Sequence, residues 1–306
     1  MLSSLAVLST ERGTDSAGIT RLNPKGQHVT LKAPVPSWEL IGEADYRKVA
    51  SPSKAVIGHT RYATHGAVTA GNAHPFSFTN EQGTVTTAAH NGIISNHAKL
   101  AVGSTVYEVD SANLIAALAQ AATIPEWAPI LRSAQGTLAI CAIRTTKRGR
   151  TDVILTRRGN PLWIGQVGEL GALAFASTRD ILTNSAATAR LTIVGVPWEL
   201  KEGMLYLFDG KQCLPYQVQR WMPKPKKQKK GKGGTVVNGS LALSSQFNSW
   251  DTQYVRGFDP DTDGWAACAA CLDYHPRSEL VWDRGGLMCK ACRTAGQGIR
   301  ILGKGN

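Results

Sequence analysis

Four cysteines near the end of the chain and four runs rich in His, Asn and Gly in its first half are the groups best placed to do chemistry. Cys268-Ala269-Ala270-Cys271 and Cys289-Lys290-Ala291-Cys292 stand seventeen residues apart. Two C-x-x-C knuckles at such a spacing deliver four thiolates to a tetrahedral zinc ion. The ligand set is complete, so the expected role is a closed, structural zinc ribbon, with Gly285 and Gly286 turning the chain ahead of the second knuckle. Cys141 and Cys213 stand alone in apolar segments. This distribution argues for metal and buried thiols in a reducing compartment and against a disulfide framework.

The four runs are Arg12-Gly13-Thr14-Asp15-Ser16-Ala17-Gly18, Gly58-His59-Thr60-Arg61-Tyr62-Ala63-Thr64-His65-Gly66, Asn72-Ala73-His74-Pro75 and His90-Asn91-Gly92-Ile93-Ile94-Ser95-Asn96-His97. In this order they closely resemble the glutaminase domain of glucosamine-6-phosphate synthase and its relatives, the class II glutamine amidotransferases, which release ammonia from glutamine. A weaker likeness continues through Asp110-Ser111, the apolar run 136–143, Arg158-Gly159-Asn160-Pro161-Leu162, Ala176-Ser177 and Leu200-Lys201-Glu202-Gly203, over about two thirds of the chain. The resemblance implies an α+β fold of the N-terminal-nucleophile hydrolase type. That fold is a four-layer αββα sandwich, two antiparallel sheets face to face with helices outside.

Glutamine needs a cation for its carboxylate and an anion for its ammonium, and Arg61 and Asp110 can supply them. Arg carries a planar fork that meets a carboxylate with two parallel hydrogen bonds, which Lys cannot copy. The family match assigns Asp110 the α-ammonium and places Thr64 and His65 in the substrate pocket. By the same match Asn91 and Gly92 form the oxyanion hole, where each preorganised donor is worth roughly 2.7–4 kcal/mol in the transition state. Taken alone, the same residues have simpler readings. Asn-Gly after a strand is a hairpin signal, a lone Arg is a surface or ion-pair residue, and Asp next to Ser is a helix cap. His59, His74, His90 and His97 are expected to hold loops by hydrogen bonding, and none is assigned to metal. The 12–18 run is read as scaffold, with Gly13 and Gly18 easing turns.

The resemblance also implies a cysteine at the first position of the mature chain, its own α-amine acting as base. The sequence instead begins Met1-Leu2-Ser3, and only eleven residues precede Arg12. An opening strand bearing Cys-Gly-Ile is therefore expected to be absent, with 2–11 matching the helix that follows it. A start placed too far downstream and a degenerate, non-catalytic domain both account for this. Internal Cys141 and Cys213 lack a free α-amine and cannot substitute.

The elements that must carry these groups fall in residues 1–222. Strands are expected at 54–59, 84–89, 137–143, 152–156, 173–176 and 204–208, with a helix at 111–122 built on Leu114, Ile115, Leu118 and Ala122 and an amphipathic one at 2–8. Residues 223–264 read as a linker: PKPKKQKKGKGG at 223–234 contains no apolar side chain and buries nothing to offset its chain entropy. The ribbon with its basic tail fills 265–306. Six lysines of the linker contribute much of the +12 net charge, so the basic character is local. With Arg293, Arg300 and Lys304 these lysines suit nucleic acid, and equally an extended, soluble tether. The start of the chain has no basic n-region or cleavage site, and no long apolar run occurs, so neither a signal peptide nor a membrane span is expected. The expected location is the cytoplasm. No sugar-isomerase, phosphoribosyltransferase or ATP-pyrophosphatase motif follows the glutaminase-like region, so a separate synthase partner or an unusual ammonia acceptor is expected. The alternative is a non-catalytic scaffold whose ribbon and lysines bind nucleic acid or protein.

Overall fold

The computed structural model of the chain describes residues 1–51, 53–209 and 215–223, and the backbone of 265–267, 274–276, 280–283 and 286–289. Cys213, Cys268, Cys271 and Cys292 and the linker from 224 to 264 lie outside the described residues. Two compact units divide the chain, Met1–Pro225 and Lys226–Asn306.

The first unit opens with α1 (Leu2–Leu8), β1 (Ser16–Leu22), β2 (His28–Ala33), α2 (Ser37–Gly42), α3 (Tyr46–Val49), β3 (Val56–Arg61), β4 (Phe76–Thr79) and β5 (Val85–Ile94). It continues with α4 (Asp110–Gln120), α5 (Trp127–Ser133), β6 (Gly136–Thr145), β7 (Thr151–Arg158), β8 (Trp163–Val167) and β9 (Ala172–Ala176). It closes with α6 (Arg179–Thr188), β10 (Ile193–Glu199), β11 (Met204–Phe208) and β12 (Gln217–Arg220).

Alternation along the central strands decides the layering, because successive strand residues face opposite sides of a sheet. The antiparallel six-stranded sheet runs β12-β11-β7-β6-β5-β4. On β6, Leu138, Ile140 and Ala142 join one core with Leu114, Ile115 and Leu118 of α4 and with Trp127 and Leu131 of α5. The intervening Ala139, Cys141 and Ile143 join a second core with Leu22, Ile57 and Ile164 of the other sheet layer. That layer consists of two three-stranded sheets, β2-β1-β3 and β10-β8-β9. Outside it, α1 and α6 pack near Val167, Ala174 and Ile181, while α2 and α3 cover Ile19 with Leu2. Helices therefore lie outside both sheet layers. Full burial of each α4 Leu or Ile contributes roughly 1.5–3 kcal/mol relative to exposure, enough to hold a helix whose N-cap, Val109, has no capping side chain.

Helix α1 and strand β11 coincide with the expected 2–8 and 204–208, and α4 begins one residue before the expected helix. Strand β5 departs most from expectation. Instead of stopping at 89 it continues through Asn91 and Gly92, which pair with Ala139 and Leu138 of β6. Asn91-Gly92 is thus not a hairpin turn, since the partner strand lies far along the chain. Gly18 is no turn either, as it sits within β1 opposite Lys32 and His59. A Cβ there would lie 2.0 Å from the carbonyl oxygen of His74, so the glycine serves close packing. Gly13 acts likewise, its missing Cβ leaving room for the Arg61–Tyr62 peptide at 2.2 Å.

In the second unit the described backbone forms two antiparallel hairpins, β13 (Trp265–Ala267) with β14 (Tyr274–Pro276) and β15 (Leu280–Asp283) with β16 (Gly286–Cys289). Cys289 ends β16 opposite Leu280. Among the described residues no helix is long and apolar enough to cross a membrane.

Candidate active site

A cavity of about 790 Å³ opens where β3, β5 and α4 meet, and Arg61, Thr64, His65, Asn91, Gly92 and Asp110 all line it. Strand β3 delivers Arg61 at its last residue, β5 delivers Asn91 and Gly92 near its end, and α4 delivers Asp110 at its first. The six residues come from β3 and the loop that follows it, which carries Thr64 and His65, from β5 and from α4, so only the tertiary fold brings them together.

Arg61 is buried and its guanidinium is engaged. It donates to the carbonyls of Ala67 at 3.3 Å, Gly66 at 3.4 Å and His65 at shorter range. Burial lowers its pKa while the carboxylates of Asp15, Asp110 and Glu108 oppose that shift. Arg61 thus clasps the 62–72 loop, a role its identity alone did not show. Glu108 holds the loop from the other side, accepting the Ala67 amide at 2.7 Å and Asn72 Nδ2 at 2.8 Å. Those hydrogen bonds, the Asn72 one foremost, lower the pKa of the Glu108 carboxyl. Asp15 anchors the loop start by accepting the Ala63 amide at 2.7 Å.

Asp110 does not cap α4 through its side chain. Its carboxylate instead accepts the amide of Ile94 at 2.7 Å, tying the end of β5 to the helix start. The second carboxylate oxygen takes a weak bond from Ser111 Oγ at 3.4 Å. Asn91 is oriented through its backbone, for its carbonyl accepts Asn160 Nδ2 at 2.8 Å. The side-chain Nδ2 of Asn91 is buried and has no hydrogen-bond partner. At Gly92 the backbone takes φ 153°. A Cβ there would lie 2.1 Å from the Thr137 carbonyl oxygen and 2.7 Å from His90 Nε2, so only glycine fits.

The histidines form a buried, uncharged support behind the pocket. The His90 ring meets Ser111 Oγ at 2.7 Å, the His90 amide donates to His74 Nδ1 at 3.2 Å, and the His74 and His59 rings stack at 4.2 Å. Burial lowers all three pKa values, that of His59 to about 3. His97 meets Asn113 Nδ2 at 3.2 Å beside the pocket. Among the described residues no group of three or more His, Cys, Asp or Glu is arranged to hold a metal. Cys141 lines the cavity floor, but burial pushes its thiol up to about 12, far from a thiolate at neutral pH.

Three residues with structural work at this site were not singled out by sequence. Asp15 and Asn160 lie inside resembling runs, so a signal existed. Glu108 had none, because its partners are loop amides that only the fold brings within reach.

The arrangement is a pocket of paired cation and anion beside a buried amide donor, carried on two stacked antiparallel sheet layers flanked by helices, as suits a hydrolase or transferase acting on an amide of an amino acid. Residues 9–173, more than half of the chain, match the family of class-II glutamine amidotransferases, and the chain belongs to that family. It is 34% identical over 166 residues to glutamine–fructose-6-phosphate aminotransferase (isomerizing) of Caulobacter vibrioides, covering 51% of this chain and 26% of that protein. The protein of the same description from Oceanobacillus iheyensis is 44% identical over 87 residues, covering 28% of this chain and 13% of that one. The chain thus spans about a quarter or less of these relatives. Among solved structures, the glutamine phosphoribosylpyrophosphate amidotransferase of B. subtilis shares the fold with a TM-score of 0.54 at 21% identity, over 72% of this chain and 45% of that one. A structure described as the allosteric regulatory enzyme of purine biosynthesis gives 0.56 at 20% identity, with the same coverage.

Proposed function

We propose that residues 1–222 bind glutamine and, in a form carrying an N-terminal cysteine, hydrolyse it to glutamate and ammonia for an acceptor activated elsewhere. The observation that carries this reading is the unpartnered, buried Nδ2 of Asn91 on the wall that also bears Arg61 and Asp110. Leaving a buried donor unpaired costs roughly 1–3 kcal/mol, a cost that makes sense where a ligand atom completes the bond.

In this reading Arg61 takes the α-carboxylate, Asp110 the α-ammonium, and Thr64 and His65 close around the backbone of the substrate. The α-amine of the first-position cysteine, with a pKa of about 8, takes the thiol proton. The sulfur attacks the side-chain amide carbon, and the oxyanion is held by Asn91 Nδ2 and the Gly92 N–H. The C–N bond then breaks, the α-ammonium proton leaves with ammonia, and a thioester remains. Water, deprotonated by the same amine, attacks that carbon and releases glutamate and the thiol. The names of the relatives attach this chemistry to fructose-6-phosphate or phosphoribosyl pyrophosphate. In this reading a separate synthase or acceptor completes the reaction.

A second reading has one observation in its favour: Cys141, at the pocket, is buried and held as a thiol. Here the domain is a non-catalytic scaffold, and the linker lysines and ribbon bind nucleic acid or protein. In both readings Cys268, Cys271, Cys289 and Cys292 hold a structural zinc ion, a proposal resting on their spacing. Calorimetric titration of the chain with glutamine tests the pocket directly. Heat of binding that disappears in Arg61→Ala supports it, and no binding to the unsubstituted chain sinks the glutamine reading.

A further inference from the structure

Directly opposed residues of antiparallel strands face the same side of a sheet, and the register puts Asn91 of β5, Ala139 of β6 and Arg157 of β7 in one row. Asn91 and Ala139 line the cavity, whereas Arg157 at the far end of the row does not. Its side chain is only 12% exposed, so the charge must be paired and the donors used. The guanidinium meets both demands. Nε donates to the carbonyl of Asn160 at 2.7 Å and Nη1 to that of Leu200 at 2.9 Å, while Nη2 lies 3.1 Å from a carboxylate oxygen of Glu199 and 3.1 Å from one of Glu202.

Two of these contacts converge on the turn after β7. Glu202 Oε1, while paired with Arg157, also accepts the amide of Gly159 at 3.0 Å. The turn is thus held at the N–H of Gly159 and at the carbonyl of Asn160, by two side chains that hold each other. Gly159 bridges Leu138 of β6, the residue that pairs with Gly92 on its other side. From the same turn Asn160 Nδ2 crosses to the carbonyl of Asn91 at 2.8 Å. That carbonyl belongs to the peptide whose nitrogen is that of Gly92. A trans peptide is a rigid plane with its N–H pointing away from its C=O, so fixing the one aims the other.

We propose that Arg157 is a positioning residue for the Gly92 N–H: acting through Asn160, with Glu202 as its counterpart, it fixes the plane of the 91–92 peptide and so the direction of a donor it never touches. Arginine is required because the ion pair and the aiming use different edges of one planar fork. A lysine at 157 keeps a charge for Glu199 and Glu202, but its single nitrogen cannot also bond the carbonyls of Asn160 and Leu200. Were Arg157 only a stabiliser of the fold, a lysine that keeps the pair would serve nearly as well. The aim matters to catalysis because a donor to an oxyanion works from a preorganised position. That consequence rests on the glutaminase reading, whereas the fixed peptide plane does not.

The test compares the full chain with Arg157→Lys, Asn160→Ala and the double variant, all isotope-labelled for NMR. The amide resonance of Gly92 responds to the hydrogen bond at the other end of its peptide. It should move in Arg157→Lys in the same direction as in Asn160→Ala, and the double variant should move it no further than Asn160→Ala alone. A Gly92 resonance that stays in place in Arg157→Lys overturns the proposal, and so do shifts that simply add in the double variant. In a cysteine-first form, Arg157→Lys should lower kcat for glutamine about tenfold to a hundredfold with KM changed less than about twofold, the mark of a misaimed transition-state donor. Full kcat with lysine, or a rise in KM alone, overturns the proposal. Should the unsubstituted cysteine-first form release no ammonia, the glutaminase reading falls and the Gly92 resonance alone decides the part of Arg157. Should Arg157→Lys not fold, Glu202→Gln keeps an acceptor for the Gly159 amide and removes a charge facing Arg157. It should shift the same resonance, and no shift there overturns the proposal.

Discussion

Replacing Gly92 by alanine tests the packing of the pocket more severely than its single added methyl suggests. Two costs are separable. The positive φ of 153° strains any L side chain, and the new Cβ would lie 2.1 Å from the Thr137 carbonyl oxygen, a backbone atom of β6 that cannot swing aside. Gly26, in the β1–β2 turn, has φ 78° and nothing within 4 Å of an added Cβ, so Gly26→Ala gives the cost of a positive φ without any clash. That strain is worth about 1 kcal/mol. Overpacking at Gly92 adds roughly 1–3 kcal/mol as β5 and β6 are forced apart. Gly92→Ala should therefore cost about 2–4 kcal/mol, a large part of the 5–15 kcal/mol typical of a folded domain. At about 2–4 °C per kcal/mol for this size, the melting temperature drops by roughly 4–16 °C, against about 2–4 °C for Gly26→Ala. Urea titrations followed by tryptophan fluorescence give both differences. Equal losses in the two variants would refute the claim that close approach of β6, and not φ alone, demands glycine at 92.

In a cysteine-first form, Asn91→Ala should lower kcat of glutamine hydrolysis about 10²–10³-fold with KM little changed, as loss of one oxyanion donor does. Steady-state assay decides, and a pure KM effect would remove Asn91 from that role. Asn160→Ala, which frees the Asn91 carbonyl, should lower kcat less while leaving the fold intact by circular dichroism. Stability should fall as pH drops from about 6.5 towards 4. Burial depresses the folded pKa of His28 to about 4 and that of His59 to about 3, so the unfolded chain binds more protons in this window. Urea midpoints that stay level between pH 7 and 4 would contradict this. Elemental analysis of the full chain should find one zinc per molecule, lost in Cys289→Ser, and metal-free protein would exclude the ribbon.

The site was more legible in the sequence than the strands that build it. Arg61, Thr64, His65, Asn91 and Gly92 could be named because four short runs keep their order, and Asp110 because the weaker likeness continues past them; all six line one cavity. The full reach of β5 was hidden because Asn91-Gly92 reads locally as a turn, and only pairing with β6, some fifty residues on, overrides that signal. Strand β1 escaped notice for a related reason: Gly18 and flanking small residues look like loop, yet His74 requires a residue with no side chain there. Helix α6 carried a recognisable start, with Thr178 Oγ1 accepting the Ile181 amide at 3.2 Å, but its weak amphipathic pattern masked it. The bonds of Arg61 to loop carbonyls and of Asp110 to Ile94 were not legible at all, since residue type announces charge and not which backbone group will answer it.

In the glutamine reading, the clasp of Arg61 on the 62–72 loop makes one guanidinium serve two clients. In the proposed reading, a carboxylate that takes the Nη donors now bonded to the carbonyls of His65, Gly66 and Ala67 competes with the loop for those hydrogen bonds. Because linkage is reciprocal, loop closure weakens such a ligand by the factor by which the ligand weakens loop closure, and a variant at Glu108, which holds the loop, would shift the ligand's affinity. In the proposed reading the loop is an internal competitor for the arginine, and its grip tunes the glutamine concentration at which the pocket fills.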